Sequence, residues 1–324
     1  MVGFFSYFTG KRGPSGFGSS STAEDVAQGI SLHSQVAIIT GSTSGIGFET
    51  ARVLAKHGAH VVVPARKIKD SEGVRSRILK EFPDATVSVG ELDLSSLASV
   101  RKFVTEFKAL ELPLNMIINN AGISSGKFVL SPEELELDFA TNHMGHFLLV
   151  ELLLDDVIKT SSETGIEGRI VIVSSEAHKF APKQLVYEKL NDKDSFSWTG
   201  AYGRSKLANI WHAKELARRL QCSQERNVNV TANALHPGAI DTNLGRDFNK
   251  ILVSTVFFLG KPFLKTVPQG AATTVYAAIH PSMRGVTGKY LCDCNEAECS
   301  ATANDMKMAA ELWEFSEKFV ASHP

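Results

Sequence analysis

Apolar residues along the chain fall into short β-rich runs separated by longer stretches of helical periodicity. The first run, QVAIIT at 35–40, is almost wholly apolar, the pattern of a strand buried on both faces. A glycine-rich turn follows at 41–47, then a helix over 48–57 that ends at Gly58, a residue suited to a left-handed cap. Further strands are predicted at 59–63 (AHVVV), 86–92, 116–119 (MIIN), 169–174 (RIVIVS) and 228–235 (VNVTANAL), with a seventh at 288–291 (GKYL). Helices are predicted between them at 71–82, 100–110, 133–158 and 202–220. Strands alternating with helices imply βαβ units, and so a single α/β domain built on a doubly wound parallel sheet with helices on both faces. That domain is expected over residues 31–324, behind a leader at 1–30 that reads as mobile or lightly packed.

Composition narrows the function classes. The 324 residues are 43% hydrophobic and 21% charged, as in an ordinary globular protein, and the formal net charge of −1 gives no basic face for nucleic acid. Four cysteines in so long a chain do not make a disulfide framework, so a reducing compartment such as the cytoplasm is the default. No stretch reads as a transmembrane helix, because the best candidate, 147–158, carries Glu151, Asp155 and Asp156. The aromatic, poorly periodic stretch 243–268 follows a strand end, where open sheets place their ligands, and is expected to be a substrate lid. Its centre, ILVSTVFFLGKPFL at 251–264, has a second reading as a peripheral membrane contact beside Lys250, Lys261 and Lys265.

The turn Gly41-Ser42-Thr43-Ser44-Gly45-Ile46-Gly47 lies between the first strand and the first helix. Glycines there let the backbone approach a diphosphate, and the free N–H groups of the helix start point at it. The second strand ends Pro64-Ala65-Arg66-Lys67, with no acid before Asp70. A carboxylate would hold ribose hydroxyls, whereas Arg66 and Lys67 suit a 2′-phosphate, which points to NADP(H). Tyr202 and Lys206 are four apart on a predicted helix, so they share a face, and an ammonium beside a phenol favours its ionised form. Ser174-Ser175 ends the fifth strand, Asn119-Asn120-Ala121-Gly122 the fourth and Asp93 the third, while Pro237-Gly238 follows the sixth. Asn142 lies inside a helix, where asparagine is mildly unfavourable. Cys292, Cys294 and Cys299 offer three thiols with no fourth ligand and read as a solvent-facing loop. His143 and His146 read as packing residues, and no metal site is expected.

In TGSTSGIG, Asp93-Leu94, NNAG, Asn142, Ser175, YGRSK and HPG the sequence resembles the short-chain dehydrogenase/reductase family, over about residues 35–291. The resemblance implies a Rossmann-type fold and a catalytic tetrad. Tyr202 would be the general acid or base, and Lys206 would hold the nicotinamide ribose. Ser175, the second of the serine pair, would bond the substrate oxygen, and Asn142 would support a water relay. It implies cofactor contacts from Gly41, Ser42, Ser44, Gly45, Ile46, Gly47, Arg66, Lys67, Asp93, Leu94, Asn120, Ala121, Gly122, Pro237, Gly238, Ile240 and Thr242, with Tyr202 and Lys206. The gap from Ser175 to Tyr202 implies an insertion over 178–199 beside the active site. GFGSSSTAEDVAQGI, ATNHMGHFLL, SSEAHKF, LHPGAIDTNLGR and VPQGAATT narrow the likeness to the retinol dehydrogenase-like and WW-domain-oxidoreductase-like branch. They point within it to a plant group at the chloroplast inner envelope. That group implies a peripheral envelope location and a protein-import translocon partner. The expected function is NADP(H)-dependent interconversion of a carbonyl and an alcohol on a small apolar metabolite, the alternative being an NADPH-sensing scaffold. The sequence sets no oligomeric state.

Overall fold

Seven parallel strands and one short antiparallel strand form the sheet at the centre of the computed structural model, which describes residues 10–222, 228–240 and 264–324. The strands are β1 (Val36–Ile39), β2 (His60–Ala65), β3 (Val87–Glu91), β4 (Met116–Asn119), β5 (Gly168–Val173), β6 (Val230–His236), β7 (Tyr290–Cys292) and β8 (Asn295–Glu296). Their order is β3-β2-β1-β4-β5-β6-β7-β8, so the winding reverses between β1 and β4. Among the described residues the α-helices of five residues or more are α1 (Ala23–Ala27), α2 (Gly45–Lys56), α3 (Ile68–Glu81), α4 (Leu97–Lys108), α5 (Gly145–Thr164), α6 (Trp198–Cys222), α7 (Val267–Ile279) and α8 (Met306–Ser322). Successive strand side chains point to opposite faces, and each face has its own core. Val36, Ile38, Ile117, Ile170 and Ile172 pack with α4, α5, α6 and α8. Ala37, Ile39, Ile118, Val171 and Val173 pack with α1, α2, α3 and α7. Continuous apolar runs are what a sheet covered on both faces demands.

The predicted strands all occur, with ends shifted by up to two residues. Other expectations change. The single helix over 133–158 is broken: one turn at Leu137–Phe139 leads into a π-helical stretch at Ala140–Met144, and α5 follows. The expected solvent-facing thiol loop is instead a hairpin in the sheet. Asp293 and Cys294 both adopt positive φ, 51° and 60°, and join β7 to β8 as the two central residues of a tight turn. Both are buried, and Cys292 is half-buried.

The expectation of a mobile or lightly packed leader also does not hold for residues 17–27. Thr22 and Asp25 form a capping box at the start of α1, whose Ala23, Val26 and Ala27 are buried. Phe17 packs edge-on against Tyr276 and His280. Arg52 on α2 pairs with Glu24, Glu49 and Glu81, tying α1 to the domain. Thr242, residues 243–263 of the expected lid and residues 251–263 of the membrane-contact reading lie outside the described residues. Positions 267 and 268 of the lid form the first turn of α7, which Thr266 and Gln269 cap reciprocally. Among the described residues, no helix is long and apolar enough to cross a membrane.

Candidate active site

A cleft of about 1820 Å³ opens along the C-terminal ends of the strands. It runs across the point where the strand order reverses, the place where open α/β sheets bind ligands. Thr40 and Gly41 enter it from β1, Arg66 from β2, Asp93 from β3 and Asn120 from β4. Ser175 enters from β5, and Pro237 and Gly238 from β6.

One arm of the cleft is built for a phosphate chain. Ser44, the residue before α2, makes no side-chain cap bond, so the first amides of that helix are left for a ligand. Gly41 has φ 68°, and a Cβ there would stand 2.7 Å from the Cα of Ala121. A Cβ at Gly47 would collide with Asn120 Nδ2 and the Gly41 carbonyl. Asn120 fixes the turn from the side by donating to the Thr40 carbonyl at 2.8 Å, while its Oδ1 is buried without a protein partner. Backbone that only glycine permits, free helix amides and an unpaired buried acceptor together fit a dinucleotide.

The other arm carries the Tyr and Lys. Burial dominates their ionisation. It pushes the Tyr202 phenol upward, against a hydrogen bond from Ser175 and with the charge of Asp138 adding to the rise. The same desolvation lowers Lys206 to about 8, with Asp138 opposing. An ammonium beside the phenol was expected to lower Tyr202. In the free cleft desolvation outweighs it, because Lys206 Nζ lies 5.6 Å from the ring centroid and donates to the Val173 carbonyl at 3.2 Å. Ser174 and Ser175 both line the cleft, but Ser174 is buried and commits its hydroxyl to the Lys206 carbonyl at 2.6 Å, whereas Ser175 bonds toward Tyr202.

Asn142 is fully buried behind the cleft wall. Its Nδ2 donates to the Ile123 carbonyl at 2.8 Å and to Ser205 Oγ at 2.9 Å, and its Oδ1 accepts from the Ile123 amide at 2.8 Å. Ser205 in turn donates to the Tyr202 carbonyl at 2.8 Å. Asn142 therefore joins the exit of β4 to the turn of α6 that bears Tyr202. A Cβ on Gly122 would sit 3.0 Å from Lys206 Nζ and 3.5 Å from Asn142 Oδ1, which shows how closely these groups converge.

Most of the expected cofactor positions line the cleft: Gly41, Ser44, Gly45, Ile46, Gly47, Arg66, Asp93, Leu94, Asn120, Ala121, Gly122, Pro237, Gly238 and Ile240. Two do not. Ser42 is fully buried, and its neighbour Thr43 faces the cleft in its place; Lys67 is exposed outside the wall as the residue before α3. Lys69 and Arg77 on α3 face the cleft instead. Arg77 donates to the Thr43 carbonyl at 3.2 Å and lies 3.5 Å over the ring of Phe48. The spacing of Asp70, Gly73, Val74 and Arg77 marks one helix face, a signal available in the sequence. Lys179, within the expected insertion, also reaches the cleft. Among the described residues no three His, Cys, Asp or Glu side chains form a metal-binding group.

A doubly wound sheet with a glycine cradle at its switch point defines a nucleotide-binding α/β protein. Comparison with known proteins makes it specific: the chain belongs to the short-chain dehydrogenase family. The profile of that family, described as short chain dehydrogenase, matches residues 35–188. "Short-chain dehydrogenase TIC 32 B, chloroplastic" of Brassica napus is 49% identical over 320 residues, covering 98% of each chain. Retinol dehydrogenase 14 of Mus musculus is 39% identical over 89% of this chain and 86% of its own. A crystal structure of an uncharacterized protein from Mycobacterium Paratuberculosis superposes with a TM-score of 0.72 at 32% identity, covering 93% of this chain and 98% of that one. The protein is thus an oxidoreductase of a family that uses nicotinamide cofactors and acts on small molecules.

Proposed function

We propose that the protein interconverts a carbonyl and an alcohol on a small apolar metabolite, using NADP(H). The observation that carries this is the convergence of Ser175, Tyr202 and Lys206 in one cleft with the glycine cradle. Bound NADPH would supply the hydride for reduction, and NADP+ would accept it in the reverse direction. The amides of α2, with Gly41, Gly45 and Gly47, would hold its diphosphate, and Lys206 its nicotinamide ribose. Ser175 and Tyr202 donate hydrogen bonds to the substrate oxygen as charge develops there. Tyr202 then delivers its proton; burial keeps the phenol protonated beforehand, which suits a proton donor. Asn142 holds the Tyr202 turn against the exit of β4.

Preference for the 2′-phosphate rests on Arg66, with Lys69 and Arg77 along the same arm and no acid in the residues that end β2. An apolar substrate is supported by the apolar side chains in the cleft wall, among them Ile123, Val129 and Leu137. The proposed location is the chloroplast, peripheral to the inner envelope with a protein-import partner. Its support is the 49% identity to a protein named chloroplastic and the sequence resemblance given above.

The test is NADPH oxidation against a panel of apolar aldehydes and ketones, with wild type and Tyr202→Phe side by side. The wild type should turn over and the variant should lose about 10²–10⁴-fold in kcat while still binding NADPH. Equal turnover by the two proteins would overturn the assignment of Tyr202.

A further inference from the structure

Thr40, at the end of β1, makes more contacts than its place in the cleft wall requires. Its Oγ1 accepts from the backbone amides of Asn120 and Ala121, each at 3.0 Å, and meets His146 Nε2 at 2.8 Å. His146 is fully buried on the first turn of α5, and its Nδ1 lies 3.1 Å from the carbonyl of Asn142. A carbonyl only accepts, so Nδ1 carries the ring proton. Burial holds the imidazole down at about 4 and therefore neutral. Nε2 is then a bare acceptor, and the Thr40 hydroxyl, which also lies 3.4 Å from the Ile118 carbonyl, donates to it over the shorter 2.8 Å. With its proton committed to His146, the hydroxyl presents its lone pairs to Asn120 and Ala121.

We propose that His146 is a positioning residue. Through one neutral tautomer it orients the Thr40 hydroxyl and binds the glycine-rich turn and the β4 exit to the turn that carries Asn142. The inference rests on reading the cleft as a nicotinamide dinucleotide site.

The π-helical stretch and the first turn of α5 touch other strand ends. Asn142 bonds both backbone groups of Ile123 after β4, and a Cβ at Gly145 would collide with the Leu94 carbonyl after β3. Small errors in such a hub displace the phosphate cradle and the Tyr202 turn together. The Ser205 bond continues the chain from Asn142 to Tyr202.

Substitutions separate the two ring nitrogens. His146→Gln places an amide where Nε2 stands and keeps an acceptor for Thr40. His146→Asn keeps a donor where Nδ1 stands and removes the Thr40 bond. Thr40→Val removes the hydroxyl from the other side. The experiment measures hydrogen exchange at the Asn120 and Ala121 amides of the free protein, and the Kd for NADPH by fluorescence. His146→Asn and Thr40→Val should each speed that exchange while leaving β6 protected, and should weaken NADPH binding about tenfold. The double variant should be no worse than Thr40→Val alone, and His146→Gln should stay within about twofold of wild type. Unchanged protection in His146→Asn, or additive losses in the double variant, would overturn the proposal. A wild type that bound neither NADPH nor NADH would overturn the dinucleotide reading instead, and the exchange comparison would still decide the role of His146.

Discussion

Ser174 Oγ donates to the backbone carbonyl of Lys206 at 2.6 Å, so adjacent serines at the end of β5 do opposite things. Ser174 faces inward and clamps α6 to the sheet, and Ser175 faces the cleft beside Tyr202.

The pair should therefore separate stability from turnover. Ser175→Ala should lower kcat by about 10²–10³-fold, with only the loss of the cap its Oγ gives the Ala177 amide showing in the denaturant midpoint. Ser174→Ala removes a buried bond to a carbonyl inside α6 and should cost about 0.5–1.5 kcal/mol of stability with little loss of turnover. Chemical denaturation and steady-state kinetics on both variants check this. A stable but inactive Ser174→Ala with an active Ser175→Ala would reverse the two roles.

Acid should destabilise the fold through imidazoles in the α5–α6–α8 core. Burial first, then neighbouring imidazole charge, lowers His212 to about 3, and His143 is likewise held well below its ordinary 6.5. A group whose folded pKa is depressed binds fewer protons folded than unfolded. Its stabilisation is full above pH 6.5 and falls as pH drops toward the folded value. Each imidazole contributes a slope of about 1.4 kcal/mol per pH unit in that window. Both ring nitrogens of His212 are buried without a protein partner, between Phe147 and Trp313. His212→Phe should therefore reduce the slope between pH 6 and pH 4 by one imidazole and leave neutral-pH stability no lower. Urea melts at several pH values measure this, and an unchanged slope would contradict it.

The Arg52 cluster should govern the N-terminal segment. Arg52→Ala removes the arginine from Glu49 and Glu81, leaves Glu24 with Lys56, and should cost about 1 kcal/mol. It should also raise hydrogen exchange over residues 18–30, with the effect shrinking in high salt. Unaltered exchange there would show that the apolar face of α1 suffices alone.

The strands were legible because β1, β4 and β5 are continuous apolar runs, the mark of a sheet covered on both faces. The proposed catalytic positions could be read because Ser175, Tyr202 and the NNAG segment sit at strand ends or in an i, i+4 pair, and the fold brings them to one cleft. What escaped has physical causes. The helix over 133–158 kept its periodicity through the π-helical stretch at Ala140–Met144, and that pattern cannot show a change in hydrogen-bond spacing. The hairpin at Asp293 and Cys294 uses positive φ without glycine, so it carried no turn signal. The start of α7 did carry one, the reciprocal cap of Thr266 and Gln269. Ser42 came from the resemblance and Lys67 from the basic end of β2, neither of which carries side-chain direction, and the cleft wall holds Thr43 and Lys69 instead.

The most direct test of the account is the affinity of the wild type and of Arg66→Ala for NADPH and NADH. Arg66 lines the cleft at the end of β2, where its guanidinium would meet the 2′-phosphate of the proposed cofactor. The account predicts a clear NADPH preference in the wild type, with Arg66→Ala losing about 1.5–3 kcal/mol of NADPH binding and none of NADH. Equal affinities in the wild type, or an NADH preference, would contradict it.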